Sequence, residues 1–396
     1  MRIALTADAY PPARTSAAVQ IRDLARELAA SGHRPTVIVP TIGTRRTWLL
    51  EEDGGVEVLR IRAPRTKDIG TTHRALAESL LPFAMIRGLS QSPLAAVRWE
   101  GVVWYSPTIF LGPLISYLKR GSGCRSYLIL RDLFPDWAVD TGVLRKGMAY
   151  RLLKLVERYQ YSVADVIGVQ TPANLPHLRP WTNGSRRRVE VLNNWLAPSA
   201  NVGCSVSVER SSLAGRVILV YAGNMGAAQG VDALLQLAWR MRARRDVGFL
   251  FVGRGSEAPV LRAEAVRLGL DNVEFHDEIE PWEVPGLLAQ CHVGLVALDI
   301  RHTTHNVPGK FLTYIQAGLP VLARVNPGND LEALIVDEGV GYACTDDPAD
   351  RLQQLAEKLI ASESDRQLMS MRGRELAVRM FSVGAAAEQI VKVLKG

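Results

Sequence analysis

The chain has 396 residues, 47% hydrophobic and 22% charged, with 33 Gly and 21 Pro. At ~100–200 residues per domain this predicts two or three folded domains and excludes a disordered chain, a collagen-like repeat and a coiled coil. The net charge of +7 is uneven, with 27 Lys and Arg against 16 Asp and Glu in residues 1–195, and 20 against 24 in the remainder. A basic front half points to an anionic partner for that half, nucleic acid or an anionic membrane leaflet. Four scattered cysteines (Cys124, Cys204, Cys291, Cys344) without a Cys-x-x-Cys spacing argue against a disulfide scaffold or a zinc ribbon. No secretory signal is expected from the opening MRIALTADAYPP, and no uncharged apolar run of ~18 residues predicts a membrane span. The chain reads as cytoplasmic.

The first predicted element is a short β run, Arg2–Thr6, followed by a loop with Pro11 and Pro12. An amphipathic helix comes next, with Ile21, Leu24, Ala25 and Leu28 at helical spacing. Thr15 or Ser16 is placed to cap it, and Gly32 to end it. Thr36–Val39 is apolar on both faces, as strands buried in parallel sheets are. Further strands are expected at Val56–Ile61, Gly101–Trp104, Tyr127–Leu130, Val166–Val169 and Val189–Leu192. Residues 196–215, small and polar, read as an inter-domain linker. A second series follows with strands Val217–Tyr221, Val247–Val252, Val273–Phe275, Val293–Ala297 and Val321–Ala323, and helices at Ala233–Arg242 and Pro259–Arg267. Alternating β and α elements predict an α/β fold of two parallel-sheet domains, with ligands at the carboxyl ends of the strands. The expected domains are 1–195, 216–378, and a closing helix, 379–396, that returns to the first domain.

Three segments carry candidate chemistry. Tyr221–Gly230 follows a buried strand and precedes a helix, and Gly223, Gly226 and Gly230 let backbone N–H groups approach a phosphate. A tight strand-to-helix turn explains the same glycines. Asn306-Val307-Pro308-Gly309-Lys310 opens a helix that ends at Gly318-Leu319-Pro320. Pro308 suits the first helical position, and Lys310 in the first turn has the wrong charge for the helix dipole unless an anion binds there. Val252-Gly253-Arg254-Gly255 is a third strand end, with glycines around a cation. No Asp-x-Asp metal pair, P-loop or Gly-x-Ser-x-Gly elbow occurs. Cys291-His292 heads a buried strand and reads as core.

The order of these motifs resembles the GT-B glycosyltransferases of the large, mostly retaining bacterial group. RDLARELAASGHRPTVIVP is similar to their amino-terminal signature. YAGNMGAAQGVDALLQLA, FLFVGRGSE and HNVPGKFLTYIQAGLPVLA are similar to their nucleotide-sugar signature. Transferases of O-antigen and lipopolysaccharide assembly, of the WbuB and WlbH type, look nearest. The resemblance implies two Rossmann-like domains facing a cleft, a UDP-sugar donor on the rear domain and an acceptor on the front one. It implies that Gly226 and the helix start after it approach the diphosphate, which Lys310 neutralises with Arg254. Gly223, Asn224, Gln229, Pro308 and Gly309 complete the donor loops, and residues 276–279, with Asp277 and Ile279, edge the base. Arg131 and Asp132 fall where acceptor and donor meet, with Asp132 to polarise the acceptor hydroxyl.

Two glutamates seven residues apart in many members stand here as His305 and Thr313. With Arg301 and His302 nearby, a donor sugar bearing a carboxylate is expected to suit this end of the site. The expected activity is a metal-independent hexosyltransferase without cofactor, moving an acetamido sugar, in one version a uronic acid, from UDP to a polyprenyl-diphosphate-linked saccharide or a lipopolysaccharide core. Residues 73–98 mix Leu76, Leu80, Leu81, Phe83, Met85, Ile86 and Leu89 with arginines, which suits an interfacial segment on the inner face of the cytoplasmic membrane as well as a buried helix pair. A UDP-sugar epimerase of the same fold and a non-catalytic partner of another transferase are the alternatives. No nucleic acid is expected, because aromatics do not interleave with the basic residues.

Overall fold

A computed structural model describes residues 1–13, 15–66, 69–106, 108–140, 142–182, 187–226, 229–299, 307–345 and 349–396. The chain forms two compact units, one of residues 1–195 with 383–396, the other of residues 196–382.

The first unit runs β1 (Arg2–Thr6), α1 (Ser16–Ala30), β2 (Arg34–Thr41), β3 (Trp48–Asp53), β4 (Val56–Arg62), α2 (Thr71–Ser90), β5 (Gly101–Ser106), α3 (Gly112–Ser122), β6 (Arg125–Leu130), α4 (Asp136–Asp140), α5 (Met148–Ser162), β7 (Val166–Val169), α6 (Arg179–Thr182) and β8 (Arg188–Val191). Its eight-stranded sheet has the order β3-β4-β2-β1-β5-β6-β7-β8, parallel except where β3 pairs antiparallel with β4. The strand β3 is absent from the sequence reading. It exists because Gly54 and Gly55 both adopt positive φ, 59° and 81°, which closes a two-residue hairpin after Asp53. Thr15 caps α1 by accepting from the Ala18 N–H.

The second unit begins at Leu196, and the segment 196–215 is part of it and not a free linker. Val206, Val208 and Leu213 are buried in its core. It continues with β9 (Val217–Ala222), α7 (Asp232–Arg240), β10 (Val247–Val252), α8 (Ala258–Arg267), β11 (Val273–His276), α9 (Val284–Leu288), β12 (Val293–Ala297), α10 (Gly309–Ala317), β13 (Val321–Arg324), α11 (Asp330–Asp337), β14 (Gly341–Cys344), α12 (Ala349–Ala361) and α13 (Glu363–Phe381). The six strands are parallel, in the order β11-β10-β9-β12-β13-β14. β14, a weak Gly-Tyr-Ala-Cys run, is the other strand absent from the sequence reading.

The expected final helix, 379–396, is two pieces. Residues up to Phe381 finish α13, whose Phe381 ring meets Phe311 edge-on at 6.0 Å within the second core. Ser382 leaves helical geometry, and α14 (Val383–Lys395) packs on α1 and β6 in the first unit.

α10 sits close on its sheet because Gly294, in β12, has no side chain. A Cβ there would fall 2.4 Å from Cγ of the Tyr314 ring. The ring is buried and its hydroxyl accepts the Ala222 N–H at 2.9 Å, so it has nowhere to move. Gly294→Ala is therefore expected to destabilise the second unit by about 1–3 kcal/mol through overpacking, read as a lower urea midpoint.

Candidate functional site

The carboxyl ends of β9 and β10 carry two glycine turns that lock together. Gly223 N–H donates to the Val252 carbonyl at 2.8 Å, Met225 N–H to the Arg254 carbonyl at 2.7 Å, and Glu257 N–H back to the Met225 carbonyl at 3.0 Å. Gly253 (φ 144°) and Gly255 (φ 152°) are required at this approach. A Cβ on the first would lie 2.0 Å from the Gly223 oxygen, and on the second 2.3 Å from the Met225 oxygen.

Lys310 reaches this pair of turns from the first turn of α10. Its ammonium donates to Gln229 Oε1 at 2.6 Å and stands 4.9 Å from the centre of the Tyr221 ring. Among the described residues no carboxylate pairs with it. Burial, with no anion to offset it, pushes its pKa down to about 8. The helix end itself is open: Gly309 is exposed, and a Cβ there would meet nothing within 4 Å. Pro308 is the N-cap, and helical geometry starts at Gly309, one residue later than the sequence suggests. The free N–H groups of that turn and the ammonium together form an anion-binding end.

The start of α7, expected beside Gly226 to meet the same anion, does not follow that glycine directly. Helical geometry begins at Asp232, and this carboxylate in the first turn already answers the dipole there. Of the two helix ends, only that of α10 combines an open first turn with an uncompensated cation.

The remaining expected donor residues lie around this centre. Asn224 is exposed, and its carbonyl accepts from the Tyr221 hydroxyl at 2.6 Å. Arg254 is exposed and paired with Glu278 at 3.1 Å, so it reaches a ligand only by exchanging that partner. Asp277 pairs with Arg262, and Ile279 packs against the second core. Thr313 donates to the Gly309 carbonyl at 3.0 Å within α10. Arg301, His302 and His305 lie outside the described residues. Cys291 and His292 are structural: burial pushes the thiol up to about 12, and His292 Nδ1 accepts the Ile218 N–H at 3.0 Å.

In the first unit, Arg131 and Asp132 follow β6. Arg131 donates to the Leu192 carbonyl at 2.7 Å and the Asn193 carbonyl at 3.2 Å, and lies over the Trp195 ring at 5.0 Å. Both terminal nitrogens are thus committed, which makes it a positioning group. Asp132 is accessible to solvent as a residue, while its carboxyl is desolvated. Desolvation raises its carboxyl above the usual range, Arg131 draws it down and Asp8 adds to the rise. Sequence reasoning does not single out Asp8 or Tyr105. The Tyr105 hydroxyl donates to Gln20 Oε1 at 3.0 Å, and burial raises it to about 12. A signal for both exists in the sequence, since each is a polar group at or just after the end of an apolar strand.

Residues 15–195 match the Glycosyl transferase 4-like domain, and residues 216–364 match Glycosyl transferases group 1. The chain belongs to the glycosyltransferases of the GT-B fold. WbjE of Pseudomonas aeruginosa, named as a glycosyltransferase, is 26% identical over 61% of this chain and 61% of its own length. WcaI of Escherichia coli, named for a colanic acid biosynthesis glycosyl transferase, is 27% identical over 74% of this chain and 76% of its own. Among solved structures, WaaG, described as a glycosyltransferase involved in lipopolysaccharide biosynthesis, aligns over 100% of both chains with a TM-score of 0.64 and 17% identity. Anabaena HepE in complex with UDP aligns over 100% of both with a TM-score of 0.70 and 14% identity.

The Lys310 amine is expected to titrate near pH 8, against the ~10.4 of a solvated lysine. Carbon-13 methylation followed by NMR titration, with Lys310→Arg to assign the signal, reads this directly. A midpoint above ~10 means the ammonium is solvated and the site is not an anion trap.

Proposed function

We propose that this protein transfers a hexosyl group from a UDP-sugar, bound on its second unit, to a lipid-linked saccharide held by its first. The observation that carries the reading is the half-buried Lys310 ammonium, without a carboxylate, at the open end of α10. Cleavage of the bond between sugar and diphosphate builds negative charge on the leaving oxygen. An ammonium and helix N–H groups held in place beforehand stabilise that charge without reorganising. The locked turns at Gly223 and Gly253 fix the floor on which the diphosphate rests, and Gln229 holds the ammonium over it. In this reading Asp132, two residues past the end of β6, accepts the proton of the attacking hydroxyl.

HepE was solved with UDP bound, and WcaI and WaaG are named for colanic acid and lipopolysaccharide synthesis, which supports this donor and this acceptor class. An acetamido sugar is the inferred donor, and the basic stretch containing Arg301, His302 and His305 favours its uronic form. The excess of cations in residues 1–195, and Leu76, Leu80 and Phe83 exposed along α2, favour an acceptor presented at an anionic membrane. No helix among the described residues is long and apolar enough to cross a bilayer, so attachment is peripheral in this reading.

Lys310→Ala is expected to lower turnover by ~10²–10³ while circular dichroism and thermal unfolding stay near those of the parent protein. The assay is release of UDP, with mass spectrometry of lipid-linked products across a panel of UDP-sugars. Product formed from a UDP-sugar without any acceptor would identify an epimerase instead.

The same group sets a pH dependence. Bound diphosphate favours the ammonium, so UDP affinity is highest below pH 8 and falls as pH rises through the free-protein pKa of about 8. Between about pH 7 and 9 the loss should approach roughly tenfold, with proton uptake on binding at the higher pH. Calorimetry in two buffers of different ionisation enthalpy measures both, and Lys310→Ala should remove the dependence.

A further inference from the structure

The helix α5 (Met148–Ser162) is inverted relative to an ordinary surface helix. Its buried residues are Glu157, Gln160 and Tyr161. Gln160 donates to Ser106 Oγ at 2.9 Å and to the Thr108 carbonyl at 3.1 Å, and accepts the Leu111 N–H at 3.2 Å. Glu157 is paired with Lys154, which also reaches Asp136 at 3.1 Å. The polar face is thus turned inward, where Gln160 is fully engaged and Glu157 is ion-paired.

The outer face is apolar. Met148 is 79% exposed, Leu152 63%, Leu155 59% and Tyr159 42%, at helical spacings of four, three and four residues. Val143, just ahead of the helix, is exposed too. Arg145, Lys146, Arg151 and Arg158 border this stripe, all exposed and, among the described residues, none paired with a carboxylate. Glu157 is the one acidic residue from Gly142 to Ser162, and it is buried.

We infer that the outer face of α5, from Val143 to Tyr159, is a docking surface for an anionic lipid leaflet. The apolar stripe enters the boundary between headgroups and acyl chains, and the four cations meet lipid phosphates. A second copy of this chain fits poorly, because pairing stripe to stripe brings Arg151 and Arg158 against like charges with no exposed acid on the helix to receive them. The surroundings suit a broad, flat partner. α3 packs against both α2 and α5, and the same helical layer exposes Leu76, Leu80 and Phe83 from α2 and Tyr117 from α3. The inference rests on the lipid-linked acceptor proposed above and adds the surface that brings the protein to it.

The test is co-sedimentation with phosphatidylcholine vesicles, with and without phosphatidylglycerol, at low and high salt. Wild-type protein should bind the anionic vesicles and release as salt rises. Leu152→Gln with Leu155→Gln should weaken binding roughly tenfold or more, and Arg151→Glu with Arg158→Glu should abolish the preference for phosphatidylglycerol. Parent-like circular dichroism and thermal unfolding in both variants show that they are folded. If the wild type binds vesicles and both variants bind equally well, α5 is not the docking surface, while the lipid-linked acceptor stands. If the wild type binds no vesicle, both fall, and the UDP-sugar assay still judges the transferase reading. A wild-type dimer, seen by light scattering, that Leu152→Gln with Leu155→Gln dissolves would assign the stripe to a second copy. Capture of a defined acidic protein in place of vesicles would overturn the lipid assignment equally.

Discussion

The second unit is organised around one uncompensated charge, the Lys310 ammonium in the first turn of α10. A helix start repels a cation, and partial burial costs the ammonium hydration, so two unfavourable terms coincide at one residue. Neither is relieved by a carboxylate among the described residues; the relief within the protein is one amide oxygen, Gln229 Oε1, and the Tyr221 ring. Such an arrangement stores an affinity for anions. It survives because the rest of α10 is held elsewhere, by Tyr314 under Ala222 and by Phe311 against Phe381.

The glycines explain why the charge meets a surface and not open solvent. Gly253 and Gly255 let the second turn lie within van der Waals contact of the first, and the carbonyl and N–H groups of the two turns satisfy one another. Gly223 also leaves room for the lysine, since a Cβ there would lie 3.0 Å from Lys310 Cε. Three stretches far apart in the chain therefore act as one platform. Each is conspicuous alone, but their mutual hydrogen bonding depends on β9, β10 and β12 being sheet neighbours, which no single stretch encodes.

Much of the fold can be read from hydrophobic runs, because strands buried on both faces leave few alternatives. The expected and observed bounds coincide for Arg2–Thr6, Val166–Val169, Val247–Val252 and Val293–Ala297. What escapes such a reading lies at half-exposed edges. β3 reads Trp-Leu-Leu-Glu-Glu-Asp and sits at the end of its sheet, and its clearest mark is the glycine pair after it. In 196–215, Val206 and Val208 alternate with serines, a pattern that small polar neighbours disguise as linker. At the site, the sequence places Pro308 one residue too far in, because ψ of 143° keeps it outside the helix that its φ of −67° permits. Tyr314 is unreadable as a functional support, since an aromatic on the inner face of a helix looks like core until its hydroxyl is seen on Ala222.

Both units pair many of their arginines with carboxylates, and a few cations stand apart from that pattern. In the second unit Arg240, Arg244, Arg245, Arg254, Arg262, Arg267 and Arg379 are each paired with a carboxylate. Exposed pairs of this kind add little stability, but they cancel each other's field within a few ångströms. Lys310, by contrast, has no carboxylate partner among the described residues, so its charge and the helix dipole act together at the end of α10. The first unit does the opposite along α5, leaving Arg145, Lys146, Arg151 and Arg158 without carboxylate partners among the described residues, beside exposed apolar side chains. A small anionic ligand calls for a focused charge, and an extended anionic surface calls for many weak ones spread over a face. The net charge of +7 is the sum of these two designs, which is why it describes neither unit.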